Sequence, residues 1–159
     1  MANWSQTLAE KKKHLASRWQ DQRPLIILAG DSQIEYGEWY NLFAGARAVR
    51  NCGLSRAKIA DVTQLVLAMG DSHPQTVVTM CGINNLGADE NPNNCLRTYG
   101  ELLEAIHTHL QPKSVLVLSV MPVRETVVDR ASHKLNMVVR QFNIGLKACC
   151  RQHQSFFWT

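Results

Sequence analysis

The segment LIILAGDS, residues 25–32, gives the strongest indication of the fold. Five apolar residues (25–29) run directly into Gly30, Asp31 and Ser32. A short apolar run bounded by turn residues is typical of a strand buried on both faces of a parallel sheet. Glycine permits a tight turn after the strand, and Ser32 then lies at the entrance of the next helix. The stretch therefore predicts a strand–turn–helix unit.

Similar units follow along the chain. Apolar runs rich in β-branched residues predict further strands at 46–50, 76–80, 114–120 and 155–158. Longer helical patterns at 3–19, 34–43, 56–69, 93–110 and 130–151 separate them. Such alternation indicates an α/β fold with helices on the faces of a mainly parallel sheet. We predict one domain over residues 1–159: a three-layer α/β/α, flavodoxin-like architecture with a mostly parallel five-stranded sheet.

Composition and charge exclude several classes of function. The chain is 45% hydrophobic and 19% charged, with a net charge of +4, which is typical of a globular protein. The one dense basic run, residues 11–13, is interpreted as a solvated helix surface, so no nucleic-acid partner is predicted. No apolar stretch approaches the ~20 residues that span a bilayer, and no secretory signal is visible. Five cysteines without metal-ligand spacing indicate reduced thiols, a cytoplasmic location, and no metal or cofactor.

Polar and glycine residues follow three of the predicted strands. Ser32 follows the first strand, Gly53 the second and Asn84 the third. In open α/β sheets the functional groups gather beyond the carboxyl ends of the strands. A hydroxyl at a helix entrance, a backbone N–H left accessible by glycine and a side-chain amide are the parts of a nucleophile with an oxyanion hole. We therefore expect these three groups to meet at one point.

A second Gly-Asp-Ser triplet occurs at residues 70–72, so this motif by itself does not identify a nucleophilic serine. Ser72 follows a predicted helix and precedes a strand. This order places it at the amino-terminal edge of the sheet, opposite the expected site. We interpret this triplet as a turn.

The combined pattern resembles the SGNH (GDSL-type) hydrolases. Residues 30–32, 51–53 and 82–85 look like the first three conserved blocks of that family, in order. The likeness is greatest to the platelet-activating-factor acetylhydrolase catalytic subunits and covers nearly the whole chain. Further points of likeness are Trp4-Ser5-Gln6, Glu38-Trp39, Leu42-Phe43, Gln111-Pro112, Met121-Pro122 and Leu135-Asn136.

The resemblance implies a serine esterase acting on a small acyl ester, without a cofactor. Ser32 would be the nucleophile and its own N–H one oxyanion donor. Gly53 would supply a second donor through its N–H and Asn84 a third through its side-chain amide. The adjacent Asp31 and Asn85 are predicted to contact the substrate.

The sequence departs from the family pattern at its end. In the family, the catalytic acid and base lie in an Asp-x-x-His block near the C-terminus. The 159 residues contain no such block. We therefore expect the C-terminal part of the domain to be absent and the last strand to be partly uncovered. Of the six histidines, only His133 is predicted to approach the site edge, because the others precede strands or lie on the first helix.

Two other functions remain open. The first is a catalytically impaired module of the same fold that binds without turnover. The second is a flavodoxin-like nucleotide or phosphate binder, against which the first turn holds a single glycine and no phosphate-binding motif. A homodimer is possible through apolar surface at Trp4, Trp19 and Trp39.

Overall fold

Five parallel strands form the centre of the computed structural model, which describes residues 4–18, 25–39, 49–70, 72–124 and 130–159. The strands are β1 (Ile26–Gly30), β2 (Val49–Asn51), β3 (Thr76–Met80), β4 (Ser114–Leu118) and β5 (Phe156–Trp158). The helices are α1 (Trp4–Arg18), α2 (Ser32–Glu35), α3 (Ile59–Leu67), α4 (Ile83–Leu86), α5 (Pro92–Ala105) and α6 (Arg130–Gln152). A π-helical turn, Ile106–Leu110, extends α5.

The strands lie in the order β2-β1-β3-β4-β5, and every neighbouring pair is parallel. The predicted five-stranded α/β sheet is therefore confirmed. The chain leaves β1 toward β2 on one side and leaves β3 toward β4 on the other. Such a reversal opens a crevice at the carboxyl ends of the two central strands. Gly30 and Met80 are partners at this edge of the sheet.

The two faces of the sheet carry cores of unequal size. Alternate side chains of β1 and β3, including Ile27 and Val77, join a large core with buried residues of α1, α3, α5 and α6. Leu28, Val78 and Met80 point to the other face, where they pack with Ile34 of α2. This alternation follows from the two-residue period of a strand, which buries both faces of a parallel sheet.

The third strand and the long last helix lie where the sequence predicted them. The helix predicted at 34–43 instead begins at Ser32 and ends at Glu35, followed by a turn at Tyr36. Its Ile34 carbonyl accepts hydrogen bonds from Trp39 Nε1 (2.7 Å) and Asn51 Nδ2 (2.8 Å). Residues 40–48, which include the rest of that predicted helix and part of the next predicted strand, lie outside the described residues.

Strand β5 forms one edge of the sheet and is poorly covered. Phe156 is 68% exposed and Trp158 67% exposed. This agrees with the expectation that the last strand is partly uncovered. Trp4 and Trp39, predicted as apolar surface for a dimer, are partly buried against the two cores. Trp19 lies outside the described residues.

Candidate active site

The loops after β2, β1 and β3 lie side by side, because these three strands are neighbours in the sheet and all run in the same direction. Ser32 follows β1, Gly53 follows β2 and Asn84 follows β3. The topology therefore brings the three predicted site residues to one edge of the sheet.

Ser32 is the first residue of α2. The preceding Asp31 caps this helix: its backbone is extended, and its Oδ1 accepts a hydrogen bond from the Gln33 N–H at 3.0 Å. Among the described residues, neither the N–H nor the hydroxyl of the half-buried Ser32 has a hydrogen-bond partner. A free N–H at a helix start favours negative charge, so a charge developing next to Ser32 would be stabilised there.

Gly30 holds the first loop close to the third strand. A Cβ at this position would lie 2.1 Å from the Met80 carbonyl oxygen, which no side chain allows. The next residue, Asp31, donates its N–H to the same carbonyl at 3.2 Å. The absence of a side chain at Gly30 thus lets β1 and the loop after it stay paired with β3.

Asp31, which precedes Ser32 in the chain, is fully buried. Its Oδ2 has no hydrogen-bond partner among the described residues. Burial raises the pKa of this carboxyl to about 6, against a smaller lowering by the Gln33 N–H. A buried carboxylate with a single donor is costly, because burial disfavours the charged form. In this structure Asp31 faces the protein interior, and the substrate contact expected of it stays a prediction.

Gly53 packs directly on α2. A Cβ here would lie 2.3 Å from the Glu35 nitrogen. The Gly53 N–H donates to Asn51 Oδ1 at 2.9 Å, a local turn that asparagine commonly forms two residues before its partner. The Asn51 Nδ2 in turn donates to the Ile34 carbonyl. The proposed second oxyanion donor is therefore already bonded within its own loop.

Asn84 and Asn85 face different partners. One hydrogen of the Asn84 carboxamide is donated from Nδ2 to the Ala57 carbonyl at 2.9 Å, which leaves the other available. Asn85 is buried, its Oδ1 accepts from the Ile59 N–H at 3.0 Å, and its Nδ2 donates to Glu90 at 2.7 Å. Asn85 therefore serves the frame of the site here, and its predicted contact with substrate stays a prediction.

The second Gly-Asp-Ser triplet lies at the other edge. Ser72 is buried and precedes β3, as its context predicted. His107 bonds to Ser155 at 3.1 Å just before the start of β5, and thus also lies at the amino-terminal edge. His133 is an exposed residue of the first turns of α6, and its predicted approach to the site stays a prediction.

Two cysteines lie beside the site and pack in the protein interior. Cys52 and Cys81 are both buried. Burial raises the pKa of the Cys52 thiol to about 12 and that of Cys81 well above its ordinary value. Because the thiolate is the reactive form, neither thiol is suited to nucleophilic attack.

Three residues that shape the site were missed by the sequence analysis. Asn51 was seen only as part of a motif, although its spacing from Gly53 is the signal of an asparagine turn. Glu90 and Lys58 form an ion pair at 2.7 Å, and Glu90 also accepts from Asn85. They are 32 residues apart, and no local pattern in the sequence pairs them.

Comparison with known proteins agrees with this architecture. The model of the GDSL-like Lipase/Acylhydrolase family matches residues 18–158, nearly the whole chain. The chain belongs to the GDSL-like lipase/acylhydrolase family. The resemblance read from the sequence is thereby confirmed, and the family supports an ester hydrolase. A search of curated proteins found no match.

Solved structures show the same fold. A candidate platelet activating factor from Streptococcus pneumonia is 18% identical, with a TM-score of 0.79 over 96% of this chain and 74% of that one. A GDSL-like lipase from Bacteroides thetaiotaomicron is 15% identical, with a TM-score of 0.70 over 94% and 77%. AlinE4, an SGNH-hydrolase family esterase, is 16% identical, with a TM-score of 0.62 over 87% and 76%.

The described helices of the chain do not have the properties of membrane spans. Within the described parts of the chain, none combines the length and the apolar character that crossing a bilayer requires.

Proposed function

We propose that this GDSL-family chain is a serine ester hydrolase in which Ser32 is the nucleophile. The observation that carries the proposal is the position of Ser32. It starts α2 at the carboxyl end of β1, between the loops that hold Gly53 and Asn84, with its N–H and hydroxyl unbonded among the described residues.

The reaction follows from these groups. The Ser32 Oγ attacks the acyl carbonyl carbon, and the carbonyl electrons move to the oxygen, which becomes an oxyanion. When the oxyanion collapses, the bond to the alcohol breaks and the alcohol leaves with the proton that the serine gave up. Water then attacks the acyl-enzyme, releases the acid and restores the hydroxyl. The proton carrier is not assigned to a residue, because no described side chain is paired with Ser32 Oγ.

Three donors would stabilise the oxyanion. The Ser32 N–H has no partner in the described part of the chain, and Asn84 retains a second amide hydrogen beside the one given to Ala57. The Gly53 N–H is bonded to Asn51, so its contribution requires sharing between Asn51 Oδ1 and the oxyanion. An oxyanion is a stronger acceptor than a neutral amide oxygen, which favours such sharing as charge develops.

The substrate class is a small carboxylic ester. A short acyl group such as acetyl is inferred from the resemblance to the acetylhydrolase subunits, and Asp31 and Asn85 are proposed to line its site. Axe2, an acetyl-xylooligosaccharide esterase of the same fold, is 15% identical with a TM-score of 0.65. Its substrate is a property of that protein.

The test is hydrolysis of p-nitrophenyl acetate by the complete gene product. Turnover should fall by at least ~1,000-fold in Ser32→Ala, because the nucleophile is lost. Ser72→Ala is the matched control, since it removes a serine of the same motif at the opposite sheet edge, and it should retain turnover. Equal activity of wild type and Ser32→Ala would refute the proposal.

A second function is favoured by one observation. Because the Gly53 N–H is bonded to Asn51, one of the proposed oxyanion donors is already occupied. A chain held in this state would bind an acyl ester without hydrolysing it. Saturable binding of an ester that survives unchanged would support this alternative over the esterase.

A further inference from the structure

We propose that Glu90 is a positioning residue that fixes the loop carrying Asn84, and thereby aims the Asn84 carboxamide at the acyl oxygen. This inference rests on the proposed esterase function. Glu90 follows α4 and lies in none of the motifs read from the sequence.

Glu90 folds back onto the start of its own loop. Its N–H donates to the Asn85 carbonyl at 3.2 Å, and its Oε2 accepts from Asn85 Nδ2 at 2.7 Å. Asp89, between them, adopts a left-handed backbone with φ of 56°, which turns the chain back. Asn85, the residue next to Asn84, is thus held by both its main chain and its side chain.

The same loop is bonded to three consecutive residues at the start of α3. Asn84 donates to the Ala57 carbonyl at 2.9 Å, and Asn85 accepts from the Ile59 N–H at 3.0 Å. Between them, Lys58 pairs with Glu90 at 2.7 Å. Glu90 thus contacts the loop through Asn85 and the start of α3 through Lys58.

The two side-chain interactions of Glu90 differ in how much they stabilise the structure. The side chain of Lys58 is 44% exposed and that of Glu90 38% exposed. Their ion pair is therefore solvated and contributes little to stability. Asn85 is 5% exposed, and loss of its acceptor would leave a buried amide unpaired. Of its two bonds, the bond to Asn85 is therefore the one through which Glu90 acts on the loop that carries Asn84. Lys58 and Asn85 together lower the pKa of Glu90, which keeps the carboxylate charged near neutral pH.

The experiment compares variants of the complete gene product with p-nitrophenyl acetate. Glu90→Ala should lower kcat about 10-fold and leave KM within about 2-fold, because a displaced oxyanion donor weakens the transition state rather than ground-state binding. Glu90→Gln should recover most of kcat, since its amide oxygen can still accept from Asn85. Glu101→Ala, which removes an exposed glutamate paired with Arg97 on α5, is the matched control and should leave kcat unchanged.

A second background tests whether Glu90 acts through Asn84. In Asn84→Ala, the further change Glu90→Ala should lower kcat by less than about 2-fold, because the donor it positions is already gone. Independent losses that multiply in the double variant would overturn the inference. So would a wild-type kcat in Glu90→Ala.

Two further measurements cover the cases in which Glu90→Ala does not fold or the wild type is inactive. If Glu90→Ala does not fold, Asn85→Asp breaks the same bond from the other side while keeping the acceptor for Ile59, and it should show the same fall in kcat. An unchanged kcat there would overturn the inference. If wild type itself is inactive and Ser32 is inert to an acylating probe, the proposed function fails; an active wild type with unaffected Glu90 and Asn85 variants rejects only the role of Glu90.

Discussion

At the scale of single residues, the proposed site combines groups that already form a hydrogen bond within the protein with groups that do not. Ser32 offers an unbonded hydroxyl and N–H among the described residues, whereas Gly53 and Asn84 each hold one bond within the protein. In the proposed site, the Asn84 bond fixes the orientation of its carboxamide before substrate arrives, whereas the Gly53 bond occupies the single hydrogen of that N–H. Preorganised donors of this kind are the main source of electrostatic stabilisation in acyl transfer.

Asn84 should be the side chain whose loss costs most after Ser32. We expect Asn84→Ala to lower kcat by roughly 100- to 1,000-fold with KM little changed, as removal of one oxyanion donor does. Steady-state kinetics on p-nitrophenyl acetate measure both constants, with Asn93→Ala on the exposed start of α5 as the control. A rise in KM with an unchanged kcat would show that Asn84 binds substrate rather than the transition state.

Asp31 should make stability depend on pH. Its folded pKa of about 6 lies above the ordinary 3.8, so the folded state favours the neutral carboxyl. The associated stability is fully present below about pH 4 and is lost as pH rises through 6, by up to about 3 kcal/mol. Asp31→Asn, which stays neutral, should therefore gain stability over wild type at pH 8 and little at pH 4.

Urea unfolding of both proteins at the two pH values measures this difference. Other carboxyl groups titrate equally in both proteins, so only the difference between variant and wild type counts. A gain at pH 4 that vanishes at pH 8 would contradict the assigned direction.

At the scale of elements, short loops and a four-residue helix carry the site. The runs at 76–80 and 114–118 could be predicted as strands because buried parallel strands are continuous and apolar. Ser32 and Asn84 could be located because they directly follow such strands. Glu90 could not, since its partners Lys58 and Asn85 are joined to it only by the folded loops. The end of α2 at Glu35 also escaped prediction, because it depends on bonds from Trp39 and Asn51.

Gly53→Ala should disturb both stability and activity. The added Cβ would meet the Glu35 nitrogen at 2.3 Å, so α2 or the Gly53 loop must shift. Overpacking of this kind costs about 1–3 kcal/mol, and displacement of α2 moves Ser32. We expect a lower melting temperature and at least a 10-fold lower kcat.

Gly70→Ala is the matched control for this change. Its Cβ would meet nothing within 4 Å, although φ of 57° makes alanine unfavourable by about 1 kcal/mol. It should lower the melting temperature slightly and leave kcat unchanged. Equal effects of the two substitutions on kcat would contradict the packing argument.

At the scale of the whole molecule, the two faces of the sheet differ in how well they are covered. The edge strand β5 exposes Phe156 and Trp158, whose neighbours on the same face belong to the smaller core. From the sequence we expect a partly uncovered last strand, because the family's Asp-x-x-His block is missing from the 159 residues. Trp4 and Trp39, named as possible dimer surface, pack partly against the two cores, and the dimer itself stays a prediction.

The 159-residue chain should self-associate through this edge. Unpaired strand edges with apolar side chains promote pairing between molecules. Phe156→Lys combined with Trp158→Lys should shift sedimentation toward monomer, whereas Met137→Lys, an exposed change on α6, should not. A wild-type chain that stays monomeric at high concentration would contradict this prediction.

The most direct test of the account is to identify the serine that an ester-mimicking fluorophosphonate modifies. The complete gene product would be treated with the probe, digested, and its adduct located by mass spectrometry. If Ser32 is the nucleophile, we expect an adduct on Ser32 that is lost in Ser32→Ala and kept in Ser72→Ala. An adduct on any other residue, or none in a folded protein that hydrolyses esters, would contradict it.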